Sequence, residues 1–315
     1  MSTYVTIDGG TTNTRLFLVR GGKIIDRAAF RLGAGAGADG MAPLRENVKN
    51  AIGTLLARNA LREEDVRRVL ASGMITSEFG LCCLDHIEAP AGIGELHRSL
   101  YETSLPEIAG IPFAFIRGVK KTGRRAEETD VMRGEETELM GIVGAADGTC
   151  AYVLPGSHSK IIRTDGEGRI RDFSTMLTGE MVEALSRHTI LKSAVDLTVS
   201  RTDADALLAG YDYCGEAGVN QALFKTRLLK TVFHADPAAI YSFFLGAVLC
   251  GEIGRIAACD AETIVLGGRA QLRAAEAELL RRRTNKNVVE LDDRTVDDST
   301  ALGAVRIFEY AEADV

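Results

Sequence analysis

The stretch VTIDGGTTNTRLFLV, residues 5–19, sets two apolar, β-branched runs on either side of a bend built from Asp, Gly, Thr and Asn. The chain repeats this once, as CAYVLPGSHSKIIRTDGEGRIRDFSTM at residues 150–176, with GTT at 10–12 answered by GSH at 156–158. In both copies strand, polar bend, strand, glycine turn and strand succeed one another, which predicts an antiparallel meander. The first meander is expected at residues 4–7, 16–19 and 23–30, turning at Gly21-Gly22. Two such hairpins, each followed by helical and strand patterns, predict a duplicated α/β domain.

The patterns between the meanders support that order. Leu44, Val48, Ile52, Leu55 and Leu56 recur at helical spacing behind Pro43. A short strand is expected over 66–71, a helix over 93–101, a strand over 113–116 and a helix over 134–145. After the second meander come a helix over 179–188, a largely helical insert reaching Cys259, and a strand over 263–266 capped by Gly267-Gly268. A helix over 270–283, a strand over 288–291 and a helix over 301–310 complete the reading. The expected domains are residues 1–145 and 146–315, the second carrying the insert.

Composition narrows the function. With 315 residues, 46% hydrophobic and 26% charged, the chain has material for two domains of about 150 residues. A net charge of −7 gives a nucleic-acid partner no electrostatic support. The six cysteines form neither a CxxC pair nor a Cys/His metal spacing, and they read as small core residues in a reducing cytoplasm. The N-terminus shows no signal-peptide pattern. The run AAIYSFFLGAVLCGEIGRIAAC is interrupted by Glu252 and Arg255 and suits a buried helix or a homodimer contact, so no membrane partner is expected.

A bend rich in Gly and Thr aims several backbone N–H groups at one spot and leaves room for an anion, which is how phosphate is bound. Thr11, Thr12 and Asn13 add side-chain donors. Asp8 has the wrong sign for phosphate, so its best use is to hold Mg²⁺, directly or through water. Arg15 or Lys160 is placed to neutralise charge on a transferring phosphoryl group. Two bends of this kind suit a nucleoside triphosphate. GAGADG, residues 35–40, matches GxGxxG between a strand and a helix, but its strand belongs to a meander and no acidic residue closes a second strand about 20 residues on. It is read as a flexible loop on the substrate side.

These motifs carry a resemblance. IDGGTTNTR resembles the first phosphate motif of the sugar kinase/Hsp70/actin superfamily. LPGSHSK stands where the second should, and IVLGGR (264–269) looks like the adenosine motif. RGEETELMG and STALGA fit that superfamily's two interdomain connecting helices. SGMITSEFG (72–80), DVMRGEET (130–137), LPGSHSK (154–160) and LTGEMVEALSRHTIL (177–191) together narrow the likeness to the 2-dehydro-3-deoxygalactonokinase family, over nearly the whole chain. One departure is Gly9, where a bulky residue, often Trp, is expected before GTTN; it should loosen the bend.

The resemblance implies duplicated actin-like ATPase (ribonuclease H-like) domains with an interdomain nucleotide cleft. It also implies ATP and Mg²⁺ as cofactors and a sugar-acid substrate phosphorylated at its terminal hydroxyl. Phosphates would lie against Gly10, Thr11, Thr12, Asn13 and Arg15 and against Gly156, Ser157, His158, Ser159 and Lys160. Gly267, Gly268 and Arg269 would back the adenosine. The catalytic base falls on Glu136, aligned with an Asp-Thr pair of related kinases, with Glu135 in reserve; a helix-N-terminal role for both acids stays open. Ser72, Gly73, Met74, Ile75, Thr76 and Ser77, with Arg133, would hold the sugar acid. The run RGVKKTGRR is a further candidate or a solvated loop. A kinase for another sugar or sugar acid, such as 2-keto-3-deoxygluconate, and a non-enzymatic ATP-binding regulator remain alternatives.

Overall fold

The computed structural model describes residues 1–146 and 148–311; Asp147 and residues 312–315, which the expected second domain includes, lie outside the described residues. The chain forms two compact units. The first comprises Met1–Ala145, Thr164–Asp172 and the C-terminal segment from Asp293; the second comprises Ala146–Arg163 and Phe173–Asp292.

In the first unit a six-stranded sheet runs in the order Lys23–Phe30, Thr14–Arg20, Thr3–Gly9, Arg68–Gly73, Phe113–Phe115, Tyr101–Thr103. The meander is antiparallel, and Thr3–Gly9 pairs in parallel with Arg68–Gly73. Thr3–Gly9 is central and almost wholly buried, so it reads as a continuous apolar run; Lys23–Phe30 lies at the edge and alternates between partly buried and exposed. Helix Met41–Arg58 covers this sheet with Leu44, Val48, Ile52, Leu55 and Leu56, the residues picked out by their spacing. Pro43 sits in its first turn, where a missing N–H breaks no helical bond.

The second unit repeats the order with five strands: Ile170–Met176, Ser159–Thr164, Cys150–Leu154, Thr263–Leu266, Asn287–Glu290. Again an antiparallel hairpin pairs in parallel with the strand that follows the helices. The insert forms helices Ala204–Ala217, Val219–Thr231 and Pro237–Ala257. The last of these is the one helix among the described residues long and apolar enough to cross a membrane, and it is mostly buried in the core with Tyr241, Phe244, Leu245, Leu249 and Ile253.

Three features differ from the sequence reading. Strands Ile87–Glu88, Val119–Lys121 and Asp130–Met132 form a small third sheet. It absorbs part of the run RGVKKTGRR: Lys121 Nζ donates to Asp172 at 2.5 Å, and Arg117 donates to the carbonyls of Ser99 and Asp85. Those cations are committed to structure. Second, the C-terminal helix Asp293–Glu309 packs in the first unit, not the second. It crosses helix Glu135–Ile142 where Gly141 faces the carbonyl of Ser299 and Gly303 that of Thr137; a Cβ at either glycine would stand 2.0 Å from the facing oxygen. Third, Gly9 does not loosen the first bend. It lies in the strand, paired with Thr14 and Gly73, and a Cβ there would come 2.6 Å from Ile75 Cβ.

Candidate active site

The first unit gathers four sequence-expected segments around the end of strand Thr3–Gly9. Asp8 is in register with Arg15 across the hairpin and with Ser72 on the parallel side. Arg15 donates through Nε (3.0 Å) and Nη2 (2.5 Å) to Asp8 Oδ2. Burial works against the guanidinium charge, but Asp8 outweighs it and raises the pKa. The bend is closed by Gly10 N donating to Asn13 O at 2.9 Å. Thr11, Thr12 and Asn13 stand exposed beyond it.

The residues leading into GAGADG, 33–35, lie against the first bend. Ala34 N donates to Gly10 O (3.3 Å) and Gly35 N to Thr11 O (2.8 Å), so this segment occupies the carbonyl side of the bend. A Cβ at Gly33 would sit 2.2 Å from Gly10 O, which shows how closely the two backbones meet. With its carbonyls taken, the bend is left with its amide side for a ligand.

Next to Asp8 the chain turns at Gly73 into Met74–Thr76, where Thr76 Oγ1 and Ser77 Oγ bond back to the carbonyls of Gly73 and Met74. A Cβ on Gly73 would lie 2.5 Å from Gly9 O and 3.5 Å from Asp8 Oδ1; one on Gly134 would lie 3.2 Å from Gly73 Cα. The three backbones are therefore stacked. Ser72 Oγ is buried with no partner. Arg133 ties the stack to the 74–86 segment: Nη1 donates to Thr76 O (2.7 Å) and Oγ1 (2.6 Å), and Nη2 to Leu84 O (3.0 Å) and His86 Nδ1 (3.3 Å). Burial lowers the pKa of Arg133, with Glu136 opposing the shift.

Glu135 and Glu136 open helix Glu135–Ile142 in different settings. Glu136 is fully buried, and both its oxygens accept from Gly134 N, at 3.0 and 2.8 Å. Thr137 Oγ1 donates to Glu136 Oε1 at 3.0 Å. Burial, reinforced by the neighbouring Glu135, pushes the Glu136 carboxyl up to about 8. Glu135 is only partly buried and accepts from Arg133 N at 3.0 Å.

In the second unit Pro155–Ser159 and Gly267–Arg269 meet. Gly267 N donates to Val153 O (2.9 Å) and Arg269 N to Pro155 O (2.6 Å). Gly268 has φ +64°, and a Cβ there would strike Pro155 O at 2.4 Å, so only glycine closes this corner. Gly156 and Ser157 accept from Gly179 N (3.1 Å) and Glu180 N (3.2 Å), the first amides of helix Thr178–His188. His158 Nε2 lies 3.0 Å from Glu180 Oε1. Ser159 is buried, and so is Lys160, whose Nζ donates to Thr175 Oγ1 at 2.6 Å. Lys160 therefore supports the bend from within the sheet.

Sequence reasoning missed the residues under these turns. Arg273 is buried and donates to Gly268 O at 2.9 Å. Glu252 accepts from Thr178 Oγ1. The available signal for Glu252 was a single acid on the buried side of an otherwise apolar helix.

A family model described as 2-keto-3-deoxy-galactonokinase matches residues 8–304. The chain belongs to that family. It is 28% identical over 252 residues to a 2-dehydro-3-deoxygalactonokinase of Escherichia coli (strain K12), covering 79% of this chain and 78% of that protein. A crystal structure from Sinorhizobium meliloti, assigned as a 2-dehydro-3-deoxygalactonokinase, superimposes with a TM-score of 0.78 at 24% identity, over 96% of this chain and 97% of that one. Component A of the (R)-2-hydroxyglutaryl-CoA dehydratase of Acidaminococcus fermentans superimposes with a TM-score of 0.53 at 14% identity, over 97% of each chain. The fold is that of the actin-like ATPases, and membership of a kinase family on that fold implies use of ATP.

Proposed function

We propose that this kinase transfers the γ-phosphoryl group of ATP to the terminal hydroxyl of 2-dehydro-3-deoxy-D-galactonate, giving the 6-phosphate and ADP. The observation that carries the reading is the stacking of Gly9, Gly73 and Gly134, with Asp8 beside Gly9, which brings the first bend, the 72–77 turn and the Arg133–Glu136 corner to one place in the first unit. The exposed bend at Thr11, Thr12 and Asn13 offers amides and hydroxyls to phosphate oxygens, and Ser157 and His158 do so in the second unit. The 72–77 turn, pinned by Arg133, offers backbone amides to the sugar acid, with the buried Ser72 behind it.

The donor set fits a metal that arrives with the nucleotide. No group of three or more His, Cys, Asp or Glu converges among the described residues, and Mg²⁺ in such enzymes uses one or two carboxylates plus phosphate oxygens. Asp8 would hold it, neutralising charge on the β- and γ-phosphates. Arg15, half-exposed and paired with Asp8, adds a second positive group beside the transferring phosphoryl.

A general base must come within hydrogen-bond reach of the hydroxyl whose proton it takes. Glu136 is fully buried with its oxygens turned to Gly134 N, whereas Glu135 is part-exposed at the same corner. This moves the preference from Glu136 to Glu135 as base, with Glu136 shaping the turn. The test is ADP release from Mg·ATP with 2-dehydro-3-deoxygalactonate, its gluconate epimer, several hexoses, or no acceptor. Release that depends on the galactonate compound supports the reading. Preference for another acceptor overturns the substrate, and acceptor-independent behaviour throughout overturns the transfer.

A further inference from the structure

Glu252 lies on helix Pro237–Ala257, 2% exposed, in a stretch whose other inward residues are apolar or small. Burying an acid there costs stability unless its partners compensate. Those partners lead to one place. Glu252 Oε2 accepts from Thr178 Oγ1, while its Oε1 is buried with no partner; the nearby Ser159 hydroxyl favours the charged carboxylate against the burial that raises its pKa. Thr178 begins helix Thr178–His188, whose amides at Gly179 and Glu180 hold the carbonyls of Gly156 and Ser157. A Cβ on Gly179 would stand 2.3 Å from Gly156 O, so helix and bend meet backbone to backbone. Ser159 closes the same bend from its other end, accepting from Gly156 N at 3.4 Å.

The two units thus solve one problem in two ways. In the first, the 33–36 segment takes the carbonyls of the bend; in the second, a helix start does so. A helix start is a ready partner for those carbonyls, because its first four N–H groups have no partner within the helix. We propose that Glu252 is a positioning residue for the second phosphate bend: through Thr178, at the start of the helix whose amides take the carbonyls of Gly156 and Ser157, it holds residues 156–159 so that their amides face the nucleotide phosphates. Glu276 is also fully buried with neither oxygen partnered, and burial together with the Glu252 charge pushes its carboxyl up. The inference rests on the proposed phosphate role of the bend.

The test uses the full chain and a fluorescent ATP analogue with Mg²⁺, titrated against wild type, Thr178→Val, Thr178→Ser, Glu252→Ala and Glu252→Gln. Melting temperatures are measured in parallel. Loss of this one buried hydrogen bond should weaken nucleotide binding about tenfold in Thr178→Val and Glu252→Ala. Thr178→Ser keeps the hydroxyl and Glu252→Gln keeps an acceptor, so both should stay within about threefold of wild type. With acceptor present, the KM for ATP should rise in the first pair while the KM for the acceptor holds. Should Glu252→Ala fail to fold, the Val/Ser pair at 178 decides alone. Equal nucleotide affinity in folded Thr178→Val and wild type overturns the role of Glu252 and leaves the phosphate bend standing. No nucleotide binding by wild type overturns the phosphate bend itself, and the inference with it.

Discussion

Replacing Glu136 by Gln should change how stability depends on pH. The carboxyl is fully buried and its pKa stands at about 8, against 4.5 for an exposed glutamate. Below 4.5 the folded and unfolded chains both keep this proton. Between 4.5 and 8 the unfolded chain releases it while the folded chain retains it, so stability falls as pH rises and levels off above 8. At 1.36 kcal/mol per unit the full loss is ~5 kcal/mol, of which about 2–3 kcal/mol falls between pH 5 and pH 7. Glutamine has no proton to lose. Its carbonyl can still accept from Gly134 N and Thr137 Oγ1, and the mismatch of its amide with the Gly134 N–H adds a cost that does not vary with pH. The difference between variant and wild type should therefore drift by about 2–3 kcal/mol in favour of Gln from pH 5 to pH 7. Urea titrations followed by circular dichroism at several pH values measure it. Parallel profiles for the two proteins would refute the buried, protonated state assigned to Glu136.

Further outcomes follow from the same geometry. Glu135→Gln should lower kcat by about 10²–10⁴-fold with ATP affinity little changed, and a larger loss in Glu136→Gln would return the base to Glu136. Asp8→Ala should abolish Mg²⁺-dependent transfer in a phosphoryl-transfer assay. Its melting temperature should move little, since the Arg15 side chain left without a partner is half-exposed and can be solvated; normal turnover would remove the metal role. Gly9→Ala should destabilise by about 1–3 kcal/mol in a denaturant titration, because its methyl would overlap Ile75 Cβ and N. An unchanged midpoint would show that the 74–76 turn yields freely.

The repeated hairpins were readable because their chemistry is local: alternating apolar runs, a bend whose residues suit only a turn, and a glycine closing each corner. Helix Met41–Arg58 was readable from the spacing of its buried leucines, valine and isoleucine. The third sheet was not, since strands of two and three residues carry no period to detect. At the candidate site, Asp8, the 72–77 turn and Arg133 were singled out by type and motif, and the structure brings these segments together. What lay beyond the sequence was partnership over distance. Arg133 spends its guanidinium on Thr76, Leu84 and His86. Adjacent acids of identical type, Glu135 and Glu136, are separated only by how the helix start is buried. Glu252 finds Thr178 across 74 residues of sequence.

The crossing of Gly141 and Gly303 bears on how the chain assembles as it is made. Helix Glu135–Ile142 is synthesised more than 150 residues before the helix that covers it, Asp293–Glu309, leaves the ribosome. The sheet of the first unit can form early from contiguous chain, but helix Glu135–Ile142, with the Gly141 face that Asp293–Glu309 will cover, waits while residues 173–292, the bulk of the second unit, emerge and fold. The first unit is thus begun first and finished last. Nascent chains halted before Asp293 would display that bare helix face to chaperones and proteases, which gives the cell a mark of incomplete synthesis built into the order of the segments.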